Sequence, residues 1–200
     1  MSPGGSKSAV LVLTPTPAEH EGVLRHLAGI PFRRMEPLVI ESGPGKINAA
    51  LALASALAGA ACRGGPPAFV AGVGTSGSLS LELEAGDTVL SLDSVIGDWR
   101  HEDGREALVG PYGVFDYGPP TPERVEAMAV RSESPALAAL QRELRGRGYR
   151  AGRVLTTDAF MASREHKLAL GRTFRALVCD MESGAFAWTA RRLGDLPWFN

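Results

Sequence analysis

Long apolar runs are scarce in this sequence. The longest, Ala49 to Cys62, is too short to span a bilayer and is rich in small residues, which suits a buried helix. Cysteine is scarcer still: Cys62 and Cys179 lie far apart in apolar surroundings, which argues against a disulfide framework and for reduced core thiols. No excess of either charge sign exists. The 21 Lys and Arg are interspersed with 22 Asp and Glu for a net charge of −1, so no basic face is offered to nucleic acid and no polybasic run to anionic lipid. Ahead of the short apolar segment Ala9–Leu13 there is only Lys7, which is too little for a secretory leader. The expected location is the cytoplasm, with residues 1–7 as a flexible lead-in.

What remains is an ordinary soluble composition, 44% apolar and 22% charged over 200 residues, enough for one domain with a full core. Continuous apolar strands are predicted at 9–13, 38–40, 68–71, 87–92, 153–157 and 175–179, with 95–96 as a continuation of the fourth. Helices are predicted at 18–27, 46–61 and 135–147, an irregular one near 163–170, and a last one in the segment closing at 194. A further strand is predicted to begin at Trp198. Strand–helix alternation of this kind predicts an α/β sheet with helices on both faces. Between Gly97 and Pro122 the composition turns to Gly, Pro, aromatic and charged residues, as in a long loop with room for one hairpin.

Several familiar motifs fail. Gly43-Pro-Gly-Lys46 lacks P-loop spacing, and Gly72-Val-Gly-Thr-Ser-Gly77 lacks that of a dinucleotide loop. Ser76 has Ser78 where a nucleophile elbow needs glycine, which leaves little to a serine hydrolase built on Ser76 and His166. His20-Glu21 is followed by Leu24 where a zinc helix needs its second His, and His101-Glu-Asp103 reads as a solvated cluster. No metal site is predicted. His26 and His166 read as surface residues.

The acidic residues at strand ends carry more. Asp180-Met181-Glu182 closes an apolar strand and opens a small-residue helix, where Glu182 can accept from vicinal hydroxyls while Met181 packs on an apolar ring face. Strand ends also deliver Glu19, Thr75 and Asp158, and small ligands in open α/β sheets bind at such ends. Taken singly, Glu19 and Asp158 read equally well as helix caps.

Six segments in order resemble the nucleoside phosphorylase/nucleosidase superfamily, most closely its methylthioadenosine/S-adenosylhomocysteine nucleosidase-like branch. They are Thr14-Pro-Thr-Pro-Ala-Glu19, Ser42-Gly-Pro-Gly-Lys-Ile-Asn-Ala49, Gly74-Thr-Ser-Gly-Ser-Leu79, Leu83-Glu-Ala-Gly-Asp-Thr-Val89, Asp158-Ala-Phe160 and Asp180-Met-Glu182. The resemblance implies a single-domain three-layer α/β/α fold with a mixed, mostly parallel sheet. It implies hydrolysis of the N-glycosidic bond of a purine nucleoside or 5′-modified adenosine, with no cofactor and with a homodimer as the assembly. Glu19, or its neighbour Glu21, would polarise the attacking water with Thr75 beside it. Ser76 and Gly77 would line the substrate turn, Phe160 would stack on the base, Met181 would pack on the ribose and Glu182 would bind its hydroxyls. Trp99, His101, Phe115 and Tyr117 are candidates for the 5′ pocket. No arginine occurs in Phe69-Val-Ala-Gly-Val-Gly74, which favours water over phosphate as nucleophile.

The resemblance also implies a following strand with an Arg and a Ser-Asp pair, whose Asp protonates the departing purine. The 200 residues stop at Leu196-Pro-Trp-Phe-Asn200, where that strand would begin. The expectation is a chain cut short before its general acid, with turnover weakened by about 10²–10⁴ unless another group gives the proton. Asp158 is the substitute acid on this reading. Futalosine hydrolysis, phosphate-dependent cleavage and a non-catalytic nucleoside-binding domain are the alternatives.

Overall fold

The computed structural model of the protein describes residues 8–33, 35–63, 65–97, 99–100, 106–109, 115–116 and 118–200. The predicted lead-in 1–7, His101 with its acidic neighbours, and Tyr117 lie outside the described residues, and the side chains of Trp99 and Phe115 do too. The first half of the chain runs β1 (Ser8–Thr14), α1 (Pro17–Leu27), β2 (Met35–Glu41), α2 (Lys46–Arg63), β3 (Phe69–Gly72), β4 (Gly77–Ser78), β5 (Val89–Leu90) and β6 (Asp93–Ile96). Then come β7 (Trp99–Arg100), β8 (Glu106–Val109), β9 (Phe115–Asp116), α3 (Pro122–Met128), β10 (Val130–Arg131) and α4 (Pro135–Gly146). The last part is β11 (Arg150–Ala151), β12 (Arg153–Thr156), α5 (Arg164–Phe174), β13 (Ala176–Asp180), α6 (Ser183–Arg192) and β14 (Trp198–Phe199).

One parallel sheet has the order β14-β3-β1-β2, and a mixed one has the order β10-β6-β12-β13-β4. A reciprocal backbone pair joins them, Ser91 N to Asn200 O at 2.6 Å and Asn200 N to Ser91 O at 2.9 Å. The period-two alternation of strands explains how both faces are covered. Leu11 and Leu13 of β1 pack in a cluster with Leu53 and Leu57 of α2 and Phe186 and Ala187 of α6. Val10 and Val12, pointing the other way, meet Val23 of α1. In the second sheet Leu155 and Cys179 join Val125 of α3 and Leu170 and Phe174 of α5. Helices on both faces of a mostly parallel sheet make a three-layer α/β/α domain.

Four expectations are corrected. Cys62 is exposed rather than in the core, because α2 buries the stripe Ala49, Leu53 and Leu57 and turns Cys62 away from it. The segment predicted as one strand at 87–92 is two short pieces, β5 and β6, interrupted where Ser91 caps the break by accepting from Asp93 N at 3.2 Å. The 97–122 loop carries two antiparallel pairings, β7 with β8 and β8 with β9, and α3 follows it on a Thr121 cap with Pro122 at its first position. The irregular helix near 163–170 is the regular α5, which runs on to Phe174 because Leu170 and Phe174 are buried on its inner face.

Candidate active site

Thr16 and Glu19 form a capping box at the start of α1: Glu19 N donates to the Thr16 hydroxyl, while Glu19 Oε2 accepts from Thr16 N at 3.0 Å and Thr16 Oγ1 at 2.7 Å. The other oxygen reaches across the sheet. Glu19 Oε1 accepts from Thr75 N at 2.7 Å and Thr75 Oγ1 at 2.8 Å, in the turn after β3. A carboxylate has about four acceptor positions, so Glu19 is fully engaged. Burial alone would raise its pKa, but the Thr16 and Thr75 donors outweigh burial and hold the carboxyl below its ordinary value. Glu21, two residues on, is exposed and does not line the cavity described below.

Glu182 sits at the N-terminus of α6 and is 6% exposed. Its Oε1 accepts from Gly45 N at 2.6 Å, in the turn between β2 and α2, and Oε2 accepts from Met181 N at 3.3 Å. Burial pushes its carboxyl above the usual carboxylate range; the Gly45 amide pulls it back, and the negative charges of Asp180 and Glu19 push it up further. Asp180 does the capping instead. It accepts from Ser183 N at 3.0 Å, from the Ser183 hydroxyl, and from Thr156 Oγ1 at 2.8 Å. Thr156 in turn accepts from Gly184 N at 2.7 Å, an approach that only glycine permits, since a Cβ there would meet Ile96 Cγ1 at 2.6 Å. Burial raises the Asp180 pKa despite these donors.

Glu19, Thr75, Ser76, Gly77, Phe160, Met181 and Glu182 line a single cavity of about 450 Å³. The sequence reading named all seven from separate segments, and the fold brings them together. Phe160 stands at the rim, 90% exposed. Asp158 does not line this cavity; its carboxylate binds Lys46 Nζ at 2.9 Å and is 62% exposed. A second cavity of about 510 Å³ adjoins the first and shares Pro15, Thr75, Ser76, Asp180 and Glu182 with it. Among the described residues no group of three or more His, Cys, Asp or Glu is placed to hold a metal ion. No helix among them is long and apolar enough to cross a membrane.

The profile of the Phosphorylase superfamily matches residues 10–199, almost the whole chain. The chain belongs to the phosphorylase superfamily. No curated protein matches it. Solved structures do. A mutant of MTAN from Helicobacter pylori with 5′-methylthioadenosine in the active site superposes with a TM-score of 0.75 at 20% identity, covering 97% of this chain and 83% of that one. An S-adenosylhomocysteine nucleosidase from Streptococcus pyogenes, in complex with 5-methylthiotubericidin, gives 0.75 at 18% identity over 98% and 83%. The native futalosine hydrolase of Helicobacter pylori gives 0.74 at 20% identity over 96% and 82%.

Within this phosphorylase-superfamily fold, five contributors were not picked out from the sequence. Thr16 was legible as the first residue of Thr-x-x-Glu, a capping signature. The Gly45 amide, Lys46 as partner of Asp158, and Lys167 with Cys179 as cavity residues left no local signal, because each acts through a contact with a distant segment.

Proposed function

We propose that the chain hydrolyses the N-glycosidic bond of a purine nucleoside or 5′-modified adenosine, releasing the free base. The carrying observation is that Glu19 and Glu182 line one cavity together with Met181 and Phe160. Two carboxylates in contrasting environments take different roles. Glu182 retains open acceptor positions beside its bonds to Gly45 N and Met181 N, and these receive the ribose hydroxyls while Met181 packs on the sugar. Its negative charge favours the oxocarbenium-like sugar that forms as the bond to the base lengthens.

Glu19 is held ionised by its four donors and directs the water. Two of these donors are hydroxyls, and Thr16 Oγ1 is also held by Glu19 N in the cap; turning the Thr75 hydroxyl from Glu19 to the water opens an acceptor position and places water between the two. The water oxygen bonds to the anomeric carbon, its proton passes to Glu19, and the pair from the broken bond leaves on the base, which takes up a proton from solvent. Phe160 covers the base from the rim. Asp158 lies outside the cavity and bound to Lys46, so the reading does not route that proton through it.

The test is release of base from methylthioadenosine, adenosylhomocysteine, futalosine and inosine, with Glu182→Ala as control. Cleavage of at least one, lost by about 10²-fold or more in the variant, is expected. No release from any of them by folded protein refutes the proposal. Tight calorimetric binding without turnover would point instead to a nucleoside-binding domain.

A further inference from the structure

Lys167 lines the cavity of the carboxylates, at the end built by Thr157, Ala159, Met161 and Cys179. It is the fourth residue of α5, close to the positive end of that helix dipole, where a cation is disfavoured. It is half-buried, and no carboxylate pairs with its ammonium group among the described residues. Its charge is felt at Cys179: burial pushes that thiol up, and Lys167 is the chief opposing influence. Cys179 is paired in the sheet with Gly77 of the substrate turn. A half-buried cation at the wrong end of a helix, facing a cavity and lacking an anion, breaks local rules without local compensation, and such breaks gather at functional sites.

We propose that Lys167 reads the departing base and makes the cavity selective for 6-oxopurine nucleosides over 6-aminopurine nucleosides. This rests on the hydrolytic reading above, in which Glu182 marks the sugar end. The base then lies toward Phe160, Thr157 and Lys167. An ammonium group donates three hydrogen bonds and accepts none. A 6-oxopurine presents two adjacent acceptors on one edge, the carbonyl oxygen and the neighbouring ring nitrogen. A 6-aminopurine puts N–H donors in place of the oxygen, so donor faces donor.

The experiment compares kcat/KM for inosine and adenosine, which share ribose and 5′ hydroxyl, in wild type, Lys167→Met and Lys167→Arg. Wild type is expected to favour inosine by about tenfold or more, the span of a charge-assisted hydrogen bond. Lys167→Met should erase the preference by losing inosine while adenosine changes little, and Lys167→Arg should restore much of it. A preference for adenosine, or a ratio unchanged in Lys167→Met, overturns the proposal. So does phosphate-stimulated turnover that disappears with Lys167, which would make the residue an anion site. Calorimetry with free hypoxanthine and adenine separates the two readings. Tighter hypoxanthine binding that needs Lys167, without turnover of any nucleoside, removes the hydrolysis and keeps the selectivity. Equal binding of the two bases, or none, removes the selectivity.

Discussion

Glu19 does two jobs with one side chain. As third residue of α1 it completes the capping box with Thr16, and it also binds both donors of Thr75. A glutamine satisfies the box equally well but cannot carry the charge that takes a proton from water. Glu19→Gln is therefore expected to lower base release by about 10²–10⁴-fold, the usual worth of a general base. Its thermal midpoint should fall by about 4–8 °C, since the amide nitrogen that replaces one oxygen leaves two donors without their acceptor, at ~1 kcal/mol each. Rate assays and thermal melts on the same preparation check both parts. Equal loss of fold and rate would mean that Glu19 is structural only. The sequence could not choose between Glu19 and Glu21. They are two residues apart and chemically alike, and only the turn of α1 that aims Glu19 at Thr75 separates them.

At the scale of elements, Arg153 decides how the second half of the fold is fastened. It is 5% exposed at the start of β12, and its guanidinium meets Asp93 of β6 at 2.8 Å, Glu126 of α3 at 2.9 Å and the Phe174 carbonyl at the end of α5 at 3.0 Å. Burial lowers its pKa, the two carboxylates more than reverse that, and the planar fork suits several acceptors at once. Arg153→Met keeps the volume and leaves Asp93 and Glu126 with the more exposed Arg131 as their remaining cation. The expected cost is about 3 kcal/mol, the low end for breaking a buried pair, because both acids reach solvent. Urea titration followed by circular dichroism measures it, and a change below ~1 kcal/mol would contradict the argument. Sequence patterning placed β12 correctly, yet gave no reason to single out its first residue. The network joins positions 27 and 60 residues away.

For the whole molecule, the acids around the site set how stability follows pH. Glu182 and Asp180 have raised pKa values, so the folded state holds their protons more tightly than the unfolded chain. Stability from them is present below the ordinary carboxylate range and is lost as pH rises through their elevated values. Glu19 acts oppositely: its contribution is present above the ordinary value and lost as pH falls through its lowered one. Above that raised value the ionised Glu182 is a burden on the fold. Glu182→Gln, which keeps an acceptor for Gly45 N, is expected to raise the midpoint by about 2–4 °C at pH ~7 and by much less at pH ~4. Melts of both proteins across that range give the answer, and a constant gap would show that charge is not the cause.

Local order along the chain determined most of the apolar strands, most of the helices and the six segments at strand ends. Apolar runs, prolines, caps and glycine turns act over a few residues, and that range suffices to say that this is an α/β protein with polar groups at one edge of its sheet. Tertiary structure alone decided which faces those elements present and which distant atoms meet. It put Cys62 outside and Cys179 inside, engaged Asp158 with Lys46, hung Glu182 on the Gly45 amide, and turned Lys167 into the cavity. These outcomes depend on contacts between segments far apart in sequence, whose energies come from burial and charge in the assembled fold and have no counterpart in local propensity.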